Sequence, residues 1–133
     1  MRRAFYLLRT AKPGPVLLEV PRDIWTAEFE GELEYTAVVG NKSGPQPSEI
    51  SEVAQVLLSA TTPVIHAGQG CLYAEAWNEL QEIAQLLQSP VMTTTPGKSS
   101  FPENNPLSLG AATGVYPGPV HHFFKKADLV FGI

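Results

Sequence analysis

The sequence predicts an α/β fold, a parallel sheet with helices on both faces, and two observations carry that reading. Short runs rich in Val, Ile and Leu recur after residue 47, each bounded by Pro, Gly or Asp. Amphipathic helical stretches separate those runs. Alternation of buried-type strands with helices is the pattern of a parallel sheet joined by right-handed crossovers.

The first element is a helix over residues 2–11, where Ala4, Leu7, Leu8 and Ala11 recur at helical spacing until Lys12-Pro13-Gly14 stops them. "PVLLEV", 15–20, then reads as a short buried strand. From 26 to 47 the character changes. Glu28, Glu30, Glu32 and Glu34 alternate with other residues, which predicts an extended, wet connector rather than a calcium loop. "GNKSGPQP" closes that connector with turn residues.

A helix follows, with Ser48 as its cap, Glu49 and Glu52 at its positive end and Ile50, Val53, Ala54 and Leu57 as one stripe. "PVIHA", 63–67, is a strand. Residues 73–87 form one helix with Trp77, Leu80, Ile83, Ala84 and Leu87 on its inner face. "VMTTT" is the next strand, and 96–106 is a loop. "PLSLGAATGVYPG" resists assignment. Residues 119–127 form a helix with Val120, Phe123, Phe124 and Ala127 inward, and "DLVFGI" is a third strand. The chain opens inside a helix pattern and closes inside a strand pattern, so it reads as a piece of a longer protein.

Composition limits the function classes. A chain of 133 residues suffices for one domain of ordinary size. With 44% hydrophobic and 17% charged residues, wholesale disorder is excluded. The net charge of −4 offers no basic face for nucleic acid. Arg2-Arg3, Arg9 with Lys12, and Lys125-Lys126 read as solvated helix surface. One cysteine, Cys71, excludes an internal disulfide and a cysteine zinc cage, and fits a reducing cytoplasm. It reads as a small residue packed beneath a turn. No apolar run spans a membrane. "MRRAFYLL" imitates a signal peptide but is interrupted by Arg9. Asn41-Lys42-Ser43 matches a glycosylation acceptor, which would matter only in a secreted chain.

The motifs narrow the chemistry further. Gly68 and Gly70 fit the start of a dinucleotide fingerprint, but the third glycine is Tyr73 and no acid ends the next strand at Thr93-Thr94-Thr95. What survives is a turn with free backbone N–H groups ahead of a helix. "TPGKSS" imitates a P-loop, but the leading glycine it needs is Met92. His66 reads as a hydrogen-bonded core histidine. His121 and His122 are neighbours on a helix and cannot share a metal. No catalytic set is visible.

The order of features nevertheless resembles a known family. "AFYLLRTAKPGPVLLEVPRDI", 4–24, is similar to the end of the pyrimidine-binding domain in thiamine-diphosphate-dependent enzymes of the acetolactate synthase type, with Gly14-Pro15-Val16 and Pro21-Arg22-Asp23 at the matching places. "LLSATTPVIHAGQG", "ELQEIAQLLQSPVMTTTPGKSSFPENNPLSLGAATG" and "KKADLVFGI" resemble the opening of its central domain, in order. The resemblance implies three parts: residues 1–24 ending the pyrimidine-binding domain, 25–47 as interdomain linker, and 48–133 as the first part of a Rossmann-like central domain. That domain scaffolds two catalytic domains. In some members it holds FAD or ADP, through positions matching Gly68, Gln69, Gly70, Thr94 and Thr95. The implied reaction is decarboxylation or carboligation of 2-keto acids or related small molecules, in a cytoplasmic homodimer or homotetramer without nucleic-acid or membrane partners. Thiamine diphosphate and Mg2+ would be held by parts outside this chain, so no catalytic or metal-binding residue is assigned and the chain alone is expected to be inactive. Thr95-Pro96 departs from the more apolar pair of acetolactate synthases proper, which argues against FAD and that specific activity. A non-catalytic nucleotide-binding or regulatory module is the second reading.

Overall fold

The computed structural model describes residues 1–32, 34–40, 43–112, 114 and 118–133. The acceptor-like Asn41 and part of the unassigned glycine-rich stretch lie outside the described residues. The chain divides into two compact units, Met1–Pro45 and Gln46–Ile133.

In the first unit, α1 spans Arg2–Arg9 and a 3-10 turn spans Arg22–Thr26. Between them the expected buried strand is absent. Residues 15–20 form no strand, and Leu17 is 93% exposed. A strand buried on both faces needs neighbours to pair and cover it. No described residue of this unit is buried. The indole N–H of Trp25 donates to the Val20 carbonyl at 3.2 Å and folds the turn back on the extended segment.

The second unit is built on a four-stranded parallel sheet of order β3-β2-β1-β4. Its elements are α2 (Pro47–Ser59), β1 (Pro63–Ala67), α3 (Gly70–Ala74), α4 (Trp77–Leu87), β2 (Val91–Thr93), β3 (Ser108–Ala111), α5 (Gly118–Lys126) and β4 (Leu129–Gly132). All three strand pairings are parallel. The α/β class therefore holds. β3 comes from the stretch that sequence periodicity left unassigned. Gly110 within it has φ +79, and the register shifts between Val91 and Met92, so its glycine and bulge mask the strand pattern.

Alternation along β1 separates two cores. Ile65 and Ala67 join Cys71, Leu80, Ala84, Val91 and Phe101. Val64 joins Met92, Ala112 and Val120 from α5. Successive strand side chains point to opposite faces, so α4 and α5 cover opposite sides of the sheet.

Several helix expectations need correction. The helix expected over 73–87 is broken. α3 ends at Glu75 in a left-handed conformation (φ 58), and α4 starts at Trp77. α2 is capped by Gln46, not Ser48. The Gln46 N–H donates to Glu49 Oε2 at 2.8 Å, and Pro47 opens the helix. Of the expected α2 stripe only Leu57 is buried, while Ile50 and Val53 face solvent. In α5, Val120 is buried, but Phe123 and Phe124 remain exposed.

The amino-terminal rim of the sheet is tied by Asp128. Its carboxylate accepts the N–H groups of Thr61 at 2.7 Å and Thr62 at 2.9 Å. The Thr62 hydroxyl donates to the Lys126 carbonyl at 2.8 Å and accepts from the Asp128 N–H at 3.2 Å. These backbone donors hold the Asp128 carboxyl below the usual aspartate range.

Candidate functional site

The carboxyl ends of β1 and β2 bring the candidate residues together. Ala67 pairs with Thr93, and the Thr94 N–H donates to the Ala67 carbonyl at 2.9 Å. Gly68, Gln69 and Gly70 therefore leave β1 beside Thr94 and Thr95 leaving β2. The sheet order adds meaning. The chain runs outward from β1 to β2 and β3, then crosses back so that β4 lies on the other side of β1. Such a switch point opens a crevice at the carboxyl ends of the strands.

The five residues differ in exposure there. Gly68 and Thr94 are engaged within the protein. The Gly68 N–H donates to the Ile133 carbonyl at 2.6 Å, so it is not the free donor that the motif suggested. Thr94 Oγ1 and its carbonyl both accept from the Gly97 N–H at 3.0 Å. Gln69, Gly70 and Thr95 are exposed, and a Cβ added to Gly70 would meet nothing within 4 Å.

Gly97 is the residue that motif reading passed over. A Cβ there would lie 2.7 Å from the Ala67 carbonyl oxygen and 2.9 Å from that of Gly68. The loop after β2 thus presses its backbone against the turn after β1, and only glycine permits that approach. The signal was present in "TPGKSS", but it belongs to backbone packing rather than to a phosphate. Two residues on, Ser99 holds φ 77, a left-handed conformation uncommon outside glycine. Ser100 beside it is fully buried, and its hydroxyl has no partner.

This geometry is not a phosphate cradle. A cradle needs converging free N–H groups and a substantial helix dipole. Here the Gly68 N–H is engaged, and α3 has only five residues. Gln69, Gly70 and Thr95 lie exposed at the carboxyl ends of β1 and β2. Cys71 sits beneath the turn, buried in the core, and desolvation pushes its thiol up. That disfavours the thiolate and any nucleophilic role. His66 departs from expectation too. Its Nε2 is buried without a hydrogen-bond partner. Among the described residues, no three His, Cys, Asp or Glu side chains converge as a metal site. No helix of the described residues is long and apolar enough to cross a membrane.

Comparison with known proteins agrees with the parallel sheet. Residues 50–133 match the family described as "Thiamine pyrophosphate enzyme, central domain". Glyoxylate carboligase of Escherichia coli O157:H7 is 33% identical over the whole of this chain, which covers 23% of that relative. Acetolactate synthase of Arthrospira platensis is 34% identical over 80% of this chain and 19% of its own length. Among solved structures, benzoylformate decarboxylase from Polynucleobacter necessarius superposes with a TM-score of 0.81 at 28% identity. It covers 99% of this chain and 25% of that one. The chain thus spans about a fifth to a quarter of the length of these relatives. On the family match, the parallel sheet and the shared sequence, this chain belongs to the thiamine pyrophosphate enzyme family and carries that family's central-domain fold in residues 50–133.

Proposed function

We propose that this chain is the scaffolding portion of a thiamine-diphosphate-dependent enzyme that decarboxylates 2-keto acids or joins them to a second carbonyl compound. Residues 1–24 end the pyrimidine-binding domain, 25–47 connect, and 48–133 open the central domain. The observation that carries the reading is the match of residues 50–133 to the central domain, joined to relatives named for carboligation and decarboxylation. When bound, thiamine diphosphate supplies a carbon nucleophile and an electron sink for the substrate carbonyl. Mg2+ would anchor its diphosphate. In this reading the residues for both belong to other parts of a longer polypeptide. What this chain contributes is position. The Asp128 lock, the two cores and the Gly97 contact fix the strand ends relative to one another.

The test is turnover. The 133-residue chain with thiamine diphosphate, Mg2+ and pyruvate or glyoxylate should release no carbon dioxide, whereas the longer polypeptide containing it should. Release by the chain alone would contradict the scaffold role.

The exposure of Gln69, Gly70 and Thr95 at adjacent strand ends supports a narrower proposal, contact with the flat adenine of ADP or FAD. Calorimetry with each nucleotide tests it on the longer polypeptide. Thr95→Trp should weaken binding by about tenfold or more, because its bulk would occupy the place proposed for the adenine. Equal affinity in the variant contradicts the placement, and silence in both favours pure scaffolding.

A further inference from the structure

We infer that residues 35–40 are a strap closed over α1, and that Arg9 is its latch. The strap lies inside the stretch that sequence reads as solvated linker. Four observations within the first unit converge on it. Arg9 Nη1 donates to the Val38 carbonyl at 3.2 Å. The same guanidinium carbon stands 6.0 Å from the centroid of the Phe5 ring. Phe5 in turn meets Tyr35 edge-on, with ring centroids 6.2 Å apart at 62°. Finally, a Cβ on Gly40 would collide with the Arg9 carbonyl oxygen, so the strap's backbone lies directly on the last turn of α1.

The exposure pattern agrees with an extended segment laid on a helix. Val38 and Gly40 are half-buried, whereas Val39 between them is 83% exposed. Period two is what a strand-like segment shows when one side faces a surface. Arg9 suits the latch for a chemical reason. Its planar fork can donate to a carbonyl while its face approaches an aromatic ring, which a lysine ammonium cannot do equally well. It also sits in the last turn of α1, where a cation is favoured.

Each contact lies at the surface or is only half-buried and is weak alone, so the strap is a closure that can open, not a core. The connector therefore departs from α1 rather than hanging free from residue 25. Gly40 becomes the one position where a single methyl opens the device.

Limited proteolysis of the whole chain tests this, with cleavage after Arg22 as internal reference. Cleavage of such a closure tracks its open population. Gly40→Ala should speed cleavage after Arg9 by trypsin and after Tyr35 by chymotrypsin, each about tenfold against the reference. Val39→Ala should change neither. Less than twofold change in Gly40→Ala overturns the strap. Should Gly40→Ala not fold, Arg9→Gln read after Tyr35 decides in the same way: faster cutting supports the latch, and an unchanged rate overturns it.

Discussion

The two units of this chain solve stability differently. The Gln46–Ile133 unit has buried Ile65, Val91, Met92, Phe101 and Val120, each at or below 1% exposure, and a sheet whose strands tie one another. The Met1–Pro45 unit has no buried residue among those described, although it contains Leu17, Leu18, Val20, Ile24, Trp25 and Phe29. Its order comes from surface contacts such as the strap. Burying one large apolar side chain is worth roughly 1.5–3 kcal/mol, whereas an exposed hydrogen bond or cation–π pair adds about 1 kcal/mol or less. The difference teaches that apolar composition alone does not make a core. The residues must also converge on a paired backbone.

The sharpest way to break this comparison is a matched pair of truncations. Phe101→Ala should destabilise the second unit by about 3–5 kcal/mol, since Phe101 is 1% exposed within the core. Leu17→Ala should stay within about 0.5 kcal/mol, as for other exposed positions. Urea unfolding followed by circular dichroism measures both, and similar costs would erase the distinction. Next in size is Gly97→Ala, expected to cost about 1–3 kcal/mol because its methyl meets the Ala67 and Gly68 carbonyls. Thermal melting reads this, and a neutral result would mean that the β1 and β2 ends are not pressed together.

The smallest effect is the pH dependence at Asp128. Its folded-state carboxyl is held below the ordinary value by the N–H groups of Thr61 and Thr62. The stabilisation is therefore fully present above the unfolded aspartate pKa of about 3.9 and lost as pH falls through the lower folded value. Asp128→Asn should lower stability at neutral pH and flatten that acid limb. A pH–stability profile identical to that of the unaltered chain would show the rim lock to be dispensable.

Legibility in the sequence followed the same division. β1, β2 and β4 announce themselves by short apolar runs, and α4 by its period, because burial writes those patterns directly. β3 is hidden by Gly110 and a register shift. The break between α3 and α4 is hidden because Glu75, an ordinary helix former, adopts the left-handed conformation there. Residues 15–20 read as a strand, but pairing depends on neighbours that no local pattern records. At the candidate site, the proximity of Gly68–Gly70 to Thr94–Thr95 was implied by the family resemblance. The engagement of Gly68 by Ile133 and the role of Gly97 are tertiary facts with no motif of their own.

Residue-resolved amide hydrogen exchange on the whole chain tests the central claim most directly. The account predicts strong protection for the amides of Ile65, Val91 and Ala112, which donate within the sheet region to Pro90, Leu107 and Thr93. It predicts exchange near the unprotected rate for residues 16–20. Protection of 16–20 comparable to that of Ile65 would contradict it.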